Sequence, residues 1–159
     1  MPEPDVVPEV ERRTGVRLVL IGDGPSRARL QRRPGSERLF WLPFESDRDR
    51  LADLLAAVDL YVAPCSLETF GLSALEAIAS GTPILTADRG GVAETVARSG
   101  AGAAFRSGEP GSLVETAVDL FSGDLNALGL RGRQYAEAHH GWDTILDRLF
   151  DVYRRILGR

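Results

Sequence analysis

Lysine is absent from these 159 residues: all 19 basic positions are arginine, set against 23 aspartates and glutamates for a net charge of -4. An acidic balance of this kind argues against a surface built to hold a nucleic-acid backbone, so no nucleic-acid partner is expected. Cysteine is nearly absent too. The single Cys65 excludes an internal disulfide, and no cysteine and histidine cluster has metal-ligand spacing, so neither a bridge nor a metal site is expected. A reducing, cytoplasmic setting is the expectation, with association at a membrane surface left open. No apolar run approaches the roughly 18 to 20 residues of a membrane span. The first residues, Met1 to Glu11, are acidic and proline-rich rather than basic and then apolar, which does not fit a signal peptide.

The residues that are present fit one domain. A chain of this length, 43% hydrophobic, can bury one proper core. Residues 1–15 read as an N-terminal tail and 16–159 as the folded unit. Val16 to Ile21 is a β-branched, apolar run that ends at the turn Gly22-Asp23-Gly24-Pro25. A short helix over 26–33, a strand over 39–42, and a helix over 47–58 capped by Asp47 follow. A strand over 59–63 leads into a loop over 64–70, then a helix over 71–79, a strand over 83–87, and a helix near 92–98 behind Gly90-Gly91. This alternation predicts an α/β fold of Rossmann-like type, with a parallel sheet and helices on both faces. Beyond Gly102 the pattern changes to two or three helices, over 110–121, 125–138 and 143–157. Ligands in such folds bind beyond the carboxyl ends of the strands, so the loops after Ile21, Leu42, Ala63 and Ala87 are the ones of interest.

The densest segment runs from Pro64 to Pro83. It is a strand-to-helix loop with Gly71 at the helix entrance, where free N–H groups and the positive end of the helix dipole suit a diphosphate. Glu76 lies more than one turn into the helix and its side chain leans back toward the entrance, where a carboxylate can accept hydrogen bonds from two vicinal hydroxyls. Glu68 stands in the loop. Carboxylates beside a diphosphate are tolerated when they meet the hydroxyl-rich groups that flank it. Phe70 is equally readable as core, Gly90-Gly91 as a simple loop, and Cys65 as packing. Adjacent His139 and His140 read as surface residues, and Trp142 as a helix anchor. Arg27, Arg29, Arg32, Arg33, Arg38, Arg48 and Arg50 form either a solvated face or a surface for an anionic substrate, a membrane or a further domain.

Glu68 and Glu76 are separated by seven residues, with Phe70-Gly71 between them and Ser80-Gly81-Thr82-Pro83 after them. Together with Gly22-Asp23-Gly24-Pro25, Gly90-Gly91-Val92-Ala93-Glu94 and Trp142, they resemble the EX7E pattern of retaining GT-B glycosyltransferases of the GT4 type. The resemblance covers about residues 16–157. It implies a nucleotide-diphospho-sugar donor, a UDP- or GDP-sugar, and glycosyl transfer to a hydroxyl acceptor with no cofactor and no metal. It implies donor contacts from Glu68, Thr69, Phe70, Gly71, Leu72, Glu76 and Gly22. Glu76 would take the ribose, Glu68 would be the catalytic residue at the sugar, and the backbone of 70–72 would meet the diphosphate. Pro43 stands where a glycine is common in the family.

Family members also carry a preceding strand with a Gly-Arg segment, a later Lys-Gly, and a whole N-terminal domain that binds the acceptor. The resemblance places all of these before residue 1, so the expected partner is such a domain or a separate acceptor-binding chain, and this chain alone is expected to turn over little. Two other readings stand beside this one: a non-catalytic nucleotide-sugar-binding or interaction module from a split gene, and a GT-B-like sugar-nucleotide epimerase.

Overall fold

The computed structural model describes residues 6–158. The chain opens with helix α1 (Val6–Thr14), where the sequence suggested a tail. Pro8 stands in its first turn, where a missing N–H leaves no helical bond unmade. Val6 is buried and Val10, one turn on, is partly buried in the same cluster. An ion pair from Arg13 Nη1 to Glu115 Oε1 at 2.5 Å fastens α1 to α6 (Pro110–Ser122). The helix therefore belongs to the folded unit.

Strands β1 (Val19–Ile21) and β2 (Phe40–Leu42) pair in parallel, with Leu20 opposite Trp41. Between them run α2 (Arg27–Gln31) and a 3-10 turn at Ser36–Arg38. A second parallel sheet has the order β3 (Tyr61–Ala63), β4 (Ile84–Ala87), β5 (Gly102–Phe105). The expected single sheet is thus two hydrogen-bonded pieces, and among the described residues only β4 pairs on both sides. β5 corrects the reading of the chain beyond Gly102 as helical. Its residues Gly-Ala-Ala-Phe lack the β-branched side chains that mark a strand, and its place comes from pairing with β4, Leu85 opposite Ala103.

Side chains alternate across β4, and that alternation divides the core. Ile84 packs with Leu55, Ala74, Ala77, Ile78, Val92, Val96 and Ala136. These residues come from α3 (Arg48–Ala56), α4 (Leu72–Ala79), α5 (Gly91–Ser99) and α7 (Leu125–His140). Leu85 and Ala87 face the other way, onto α1 and α6 through Val6, Leu113, Val114 and Ala117. Helices therefore cover both faces, as an α/β fold requires.

Two features orient the loops at the carboxyl ends of the strands. Asp47 caps α3 by accepting the N–H groups of Asp49 and Arg50 at 3.0 and 3.1 Å, the role its position predicts. At the other end of that helix the buried Thr82 hydroxyl donates to the Leu55 carbonyl at 2.5 Å. With their C-terminal ends tied together there, α3 and α4 both begin on the same side of the sheet. Helix α8 (Trp142–Leu157) is different: it has no buried residue, and Ile145, Leu149, Val152, Tyr153 and Ile156 form an exposed apolar stripe.

Candidate functional site

The loop after β3 and the entrance of α4 form the centre of the site. Gly71 takes φ +79°, a left-handed conformation that a side chain would strain, and a Cβ there would lie 2.3 Å from Val92 Cγ2. Its N–H donates to Glu68 Oε1 at 3.2 Å, so the carboxylate of Glu68 folds back over the helix entrance. The first bond of the helix itself runs from Leu75 N–H to the Gly71 carbonyl at 2.9 Å. Among the described residues, the N–H groups of Leu72, Ser73 and Ala74 have no protein acceptor. Three free donors and the helix dipole thus point at one spot, which is the chemistry of an anion site.

Glu76 sits one turn further along α4, about two-fifths exposed. Its Oε1 is 3.5 Å from Arg48 Nη1, across the gap between α3 and α4. Sequence reading placed Arg48 only in a general arginine cluster. Its helical spacing to Leu51 and Leu55, both packed toward α4, is the signal that would have aimed it at Glu76.

Backbone contact builds the floor of the loop. Gly91 N–H donates to the Glu68 carbonyl at 2.8 Å, and a Cβ on Gly91 would lie 2.1 Å from the Thr69 carbonyl oxygen. A Cβ on Gly90 would lie 2.8 Å from the Glu68 carbonyl. The Gly90-Gly91 pair is therefore no simple spacer: it lets the loop carrying Glu68, Thr69 and Phe70 rest directly on the start of α5. Phe70 is 53% exposed and Leu72 67% exposed, so both lie on the surface of the site rather than in the core.

Phe70 meets a residue that sequence reading assigned to the surface. The rings of Phe70 and His140 stand edge to face, 6.0 Å between centroids, and His140 lies 5.5 Å from Tyr135. His139 is 4.6 Å from the same tyrosine, so the two histidines share a partner. The Nε2 atom of His140 is buried without a hydrogen-bond partner. Burial, followed by the charges of His139, Arg148 and Arg98, holds its pKa below the usual histidine value. The loop that carries Phe70 thus leans on the His140 ring at the end of α7.

Gly22 ends β1, in the other sheet. Its N–H donates to the Leu42 carbonyl at 3.2 Å, and its own carbonyl accepts Arg27 Nη1 at 2.8 Å. Arg27 also reaches Asp23 at 2.5 Å and the Leu42 carbonyl at 3.0 Å, while Asp23 accepts the Phe44 N–H at 2.8 Å. That backbone bond, more than Arg27, lowers the Asp23 pKa. Arg27 is therefore a staple between the loops after β1 and β2. Among the described residues no hydrogen bond or ion pair joins Gly22 to the Glu68–Glu76 segment, and none gathers three metal-ligating side chains.

The chain is 36% identical over 170 residues to the D-inositol 3-phosphate glycosyltransferase of Mycobacterium marinum, a match covering 98% of this chain and 36% of that protein. It is 45% identical over 89 residues to a GDP-mannose-dependent alpha-(1-6)-phosphatidylinositol dimannoside mannosyltransferase of Mycobacterium tuberculosis, covering 49% of this chain and 23% of that one. Among solved structures, sucrose-phosphate synthase from Thermosynechococcus elongatus has the same fold with a TM-score of 0.77, at 24% identity over 96% of this chain and 42% of that one. Anabaena HepE in complex with UDP superposes with a TM-score of 0.76, at 19% identity over 96% and 45%. The chain thus spans about a third of the length of the curated relatives that it matches nearly end to end. Residues 4–123 match the family described as glycosyl transferases group 1, and the chain belongs to that family of enzymes as a C-terminal, GT-B-type domain.

Proposed function

We propose that this chain binds a nucleotide-diphospho-sugar, a UDP- or GDP-sugar, at the Glu68–Glu76 segment and contributes that donor to retaining glycosyl transfer onto a hydroxyl acceptor. The observation that carries the reading is the entrance of α4, where three unpartnered N–H groups lie between two carboxylates. The N–H groups receive the diphosphate, Glu76 accepts the ribose hydroxyls, and Glu68 accepts hydroxyls of the sugar. Gly22 borders the donor from the other sheet. Glu68 Oε1 accepts the Gly71 N–H at 3.2 Å, and in this reading its carboxylate swings from the helix entrance toward the sugar when the donor binds. Named relatives support the donor class without choosing the base: one is GDP-mannose-dependent and one fold neighbour holds UDP.

Bond cleavage at the anomeric carbon leaves a nucleoside diphosphate whose charge must be stabilised. The helix entrance supplies N–H donors, and Arg48, the cation that faces Glu76, is paired with that carboxylate. The unpaired strand edges of both sheets and the exposed apolar stripe of α8 are surfaces that a further, acceptor-binding unit would cover in this reading. Calorimetric titration with UDP- and GDP-sugars tests the binding reading. Glu76→Ala should weaken binding by about tenfold or more, the loss of a charged acceptor that takes two hydrogen bonds. Equal binding by the variant and the parent would remove Glu76 from the site.

A further inference from the structure

We infer that Arg48 is a positioning residue of the donor site, which holds the Glu76 carboxylate in the orientation that receives the ribose. The inference rests on the donor-binding reading of Glu76 and adds to it a residue whose charge acts through that carboxylate.

Three observations carry it. First, Arg48 reaches from α3 to α4, with Nη1 3.5 Å from Glu76 Oε1, and no other ion pair involves either residue among the described residues. Second, Arg48 is the first residue of α3, the end of a helix where the dipole disfavours a cation. Local helix energetics do not explain an arginine there, whereas a carboxylate across the gap does. Third, the two ends of the pair are placed by packed structure. Leu55, two turns on from Arg48, is buried against Ala74, Ala77 and Ile78 of α4, and Thr82 clamps the far end of α3.

The chemistry is compatible with simultaneous ligation. Each carboxylate oxygen has two acceptor sites, so Glu76 can keep Arg48 on one oxygen and still accept two hydroxyl protons. An unheld glutamate must lose rotamer freedom when the ribose arrives, and a glutamate already held by Arg48 loses less. Because the arginine side chain is 88% exposed, the gain is that of a surface ion pair, and salt weakens it.

The test compares UDP and GDP with their 2′,3′-dideoxy analogues, titrated calorimetrically against the parent, Arg48→Ala, Arg48→Lys and Glu76→Ala at low salt. The ratio of the two affinities reports what the ribose hydroxyls contribute. In the parent this ratio should be large. In Arg48→Ala it should fall about threefold, the scale of an exposed pair, chiefly by weaker binding of the ribose form, and Arg48→Lys should restore part of it. A general effect of charge on the diphosphate, or a loss of α3 structure, would weaken both nucleotides equally and leave the ratio unchanged, which would overturn the inference. A parent ratio near one would instead overturn the ribose reading of Glu76 itself, so the two failures are distinguishable.

Discussion

Replacing Gly91 with alanine sets two known effects against each other, and the geometry decides the sign. Gly91 opens α5, so in free space alanine would stabilise the helix by up to about 1 kcal/mol. Here the new Cβ would lie 2.1 Å from the Thr69 carbonyl oxygen, 2.7 Å from its carbon and 3.1 Å from Phe70 N. Ordinary contact starts near 3.4 Å, and these are backbone atoms that no rotamer change can move aside. Loop 66–71 must therefore shift by roughly 1 Å, an overpacking cost of about 1 to 3 kcal/mol. The expected net loss is about 1 to 2 kcal/mol, or a Tm lower by about 2 to 8 °C. Nucleotide-sugar binding should suffer more, by about tenfold or beyond, because the displaced atoms carry Glu68 and the helix entrance. Gly111→Ala is the control: that glycine is also in a first helical turn, with nothing within 4 Å of its would-be Cβ, so its stability should hold or rise. Thermal unfolding and calorimetry on the two variants give the comparison. If Gly91→Ala proved as stable as Gly111→Ala and bound donor like the parent, the loop would not rest on α5 as described.

His140 and Thr82 give two further tests. Burial lowers the His140 pKa in the folded chain below its unfolded value of about 6.5. The unfolded chain then binds the proton first as pH falls, so this group's contribution is present above about 6.5 and is lost on acidification through the lower, folded pKa. Thermal unfolding between pH 7.5 and 5 should show a smaller decline for His140→Phe than for the parent, and superimposable declines would rule out the buried imidazole as a source. Thr82→Val removes the donor to the buried Leu55 carbonyl, which should cost about 1 to 3 kcal/mol in denaturant unfolding. A change below about 0.5 kcal/mol would mean that the carbonyl finds another partner.

Where apolar periodicity and turn residues agreed, the fold was legible in the sequence. Asp47 caps α3 as its position predicts, and the four strands read from the run of residues 16–87 are all present, shorter at their ends. What escaped was structure created by neighbours. β5 has no strand-forming composition and exists because β4 offers it an edge. α1 looked like a tail because prolines and acids dominate its start, yet two valines one turn apart suffice once α6 is there to cover them. The division into two sheets could not be read at all, since sequence spacing says which segments are strands and not which edges stay unpaired.

The site divides along the same line, between what one segment determines and what several segments meeting in space determine. Glu68, Gly71 and Glu76 lie on one loop and one helix, and the local geometry of that unit follows from its spacing alone. Gly90-Gly91 was open between a spacer and a site element because its partner, the backbone of residues 66–70, is some 20 positions earlier in the sequence. Arg48 looked like one arginine among many for the same reason, its carboxylate lying on another helix. His140 reads as a surface residue because helical spacing describes only its own helix, and Phe70 reaches it from elsewhere. All three act on the loop or on Glu76 from outside the segment. A donor site with only its central segment intact would therefore keep the right donors and acceptors without holding them in place. Gly91→Ala and Arg48→Ala separate those two properties, since neither removes a group that the proposed donor would touch.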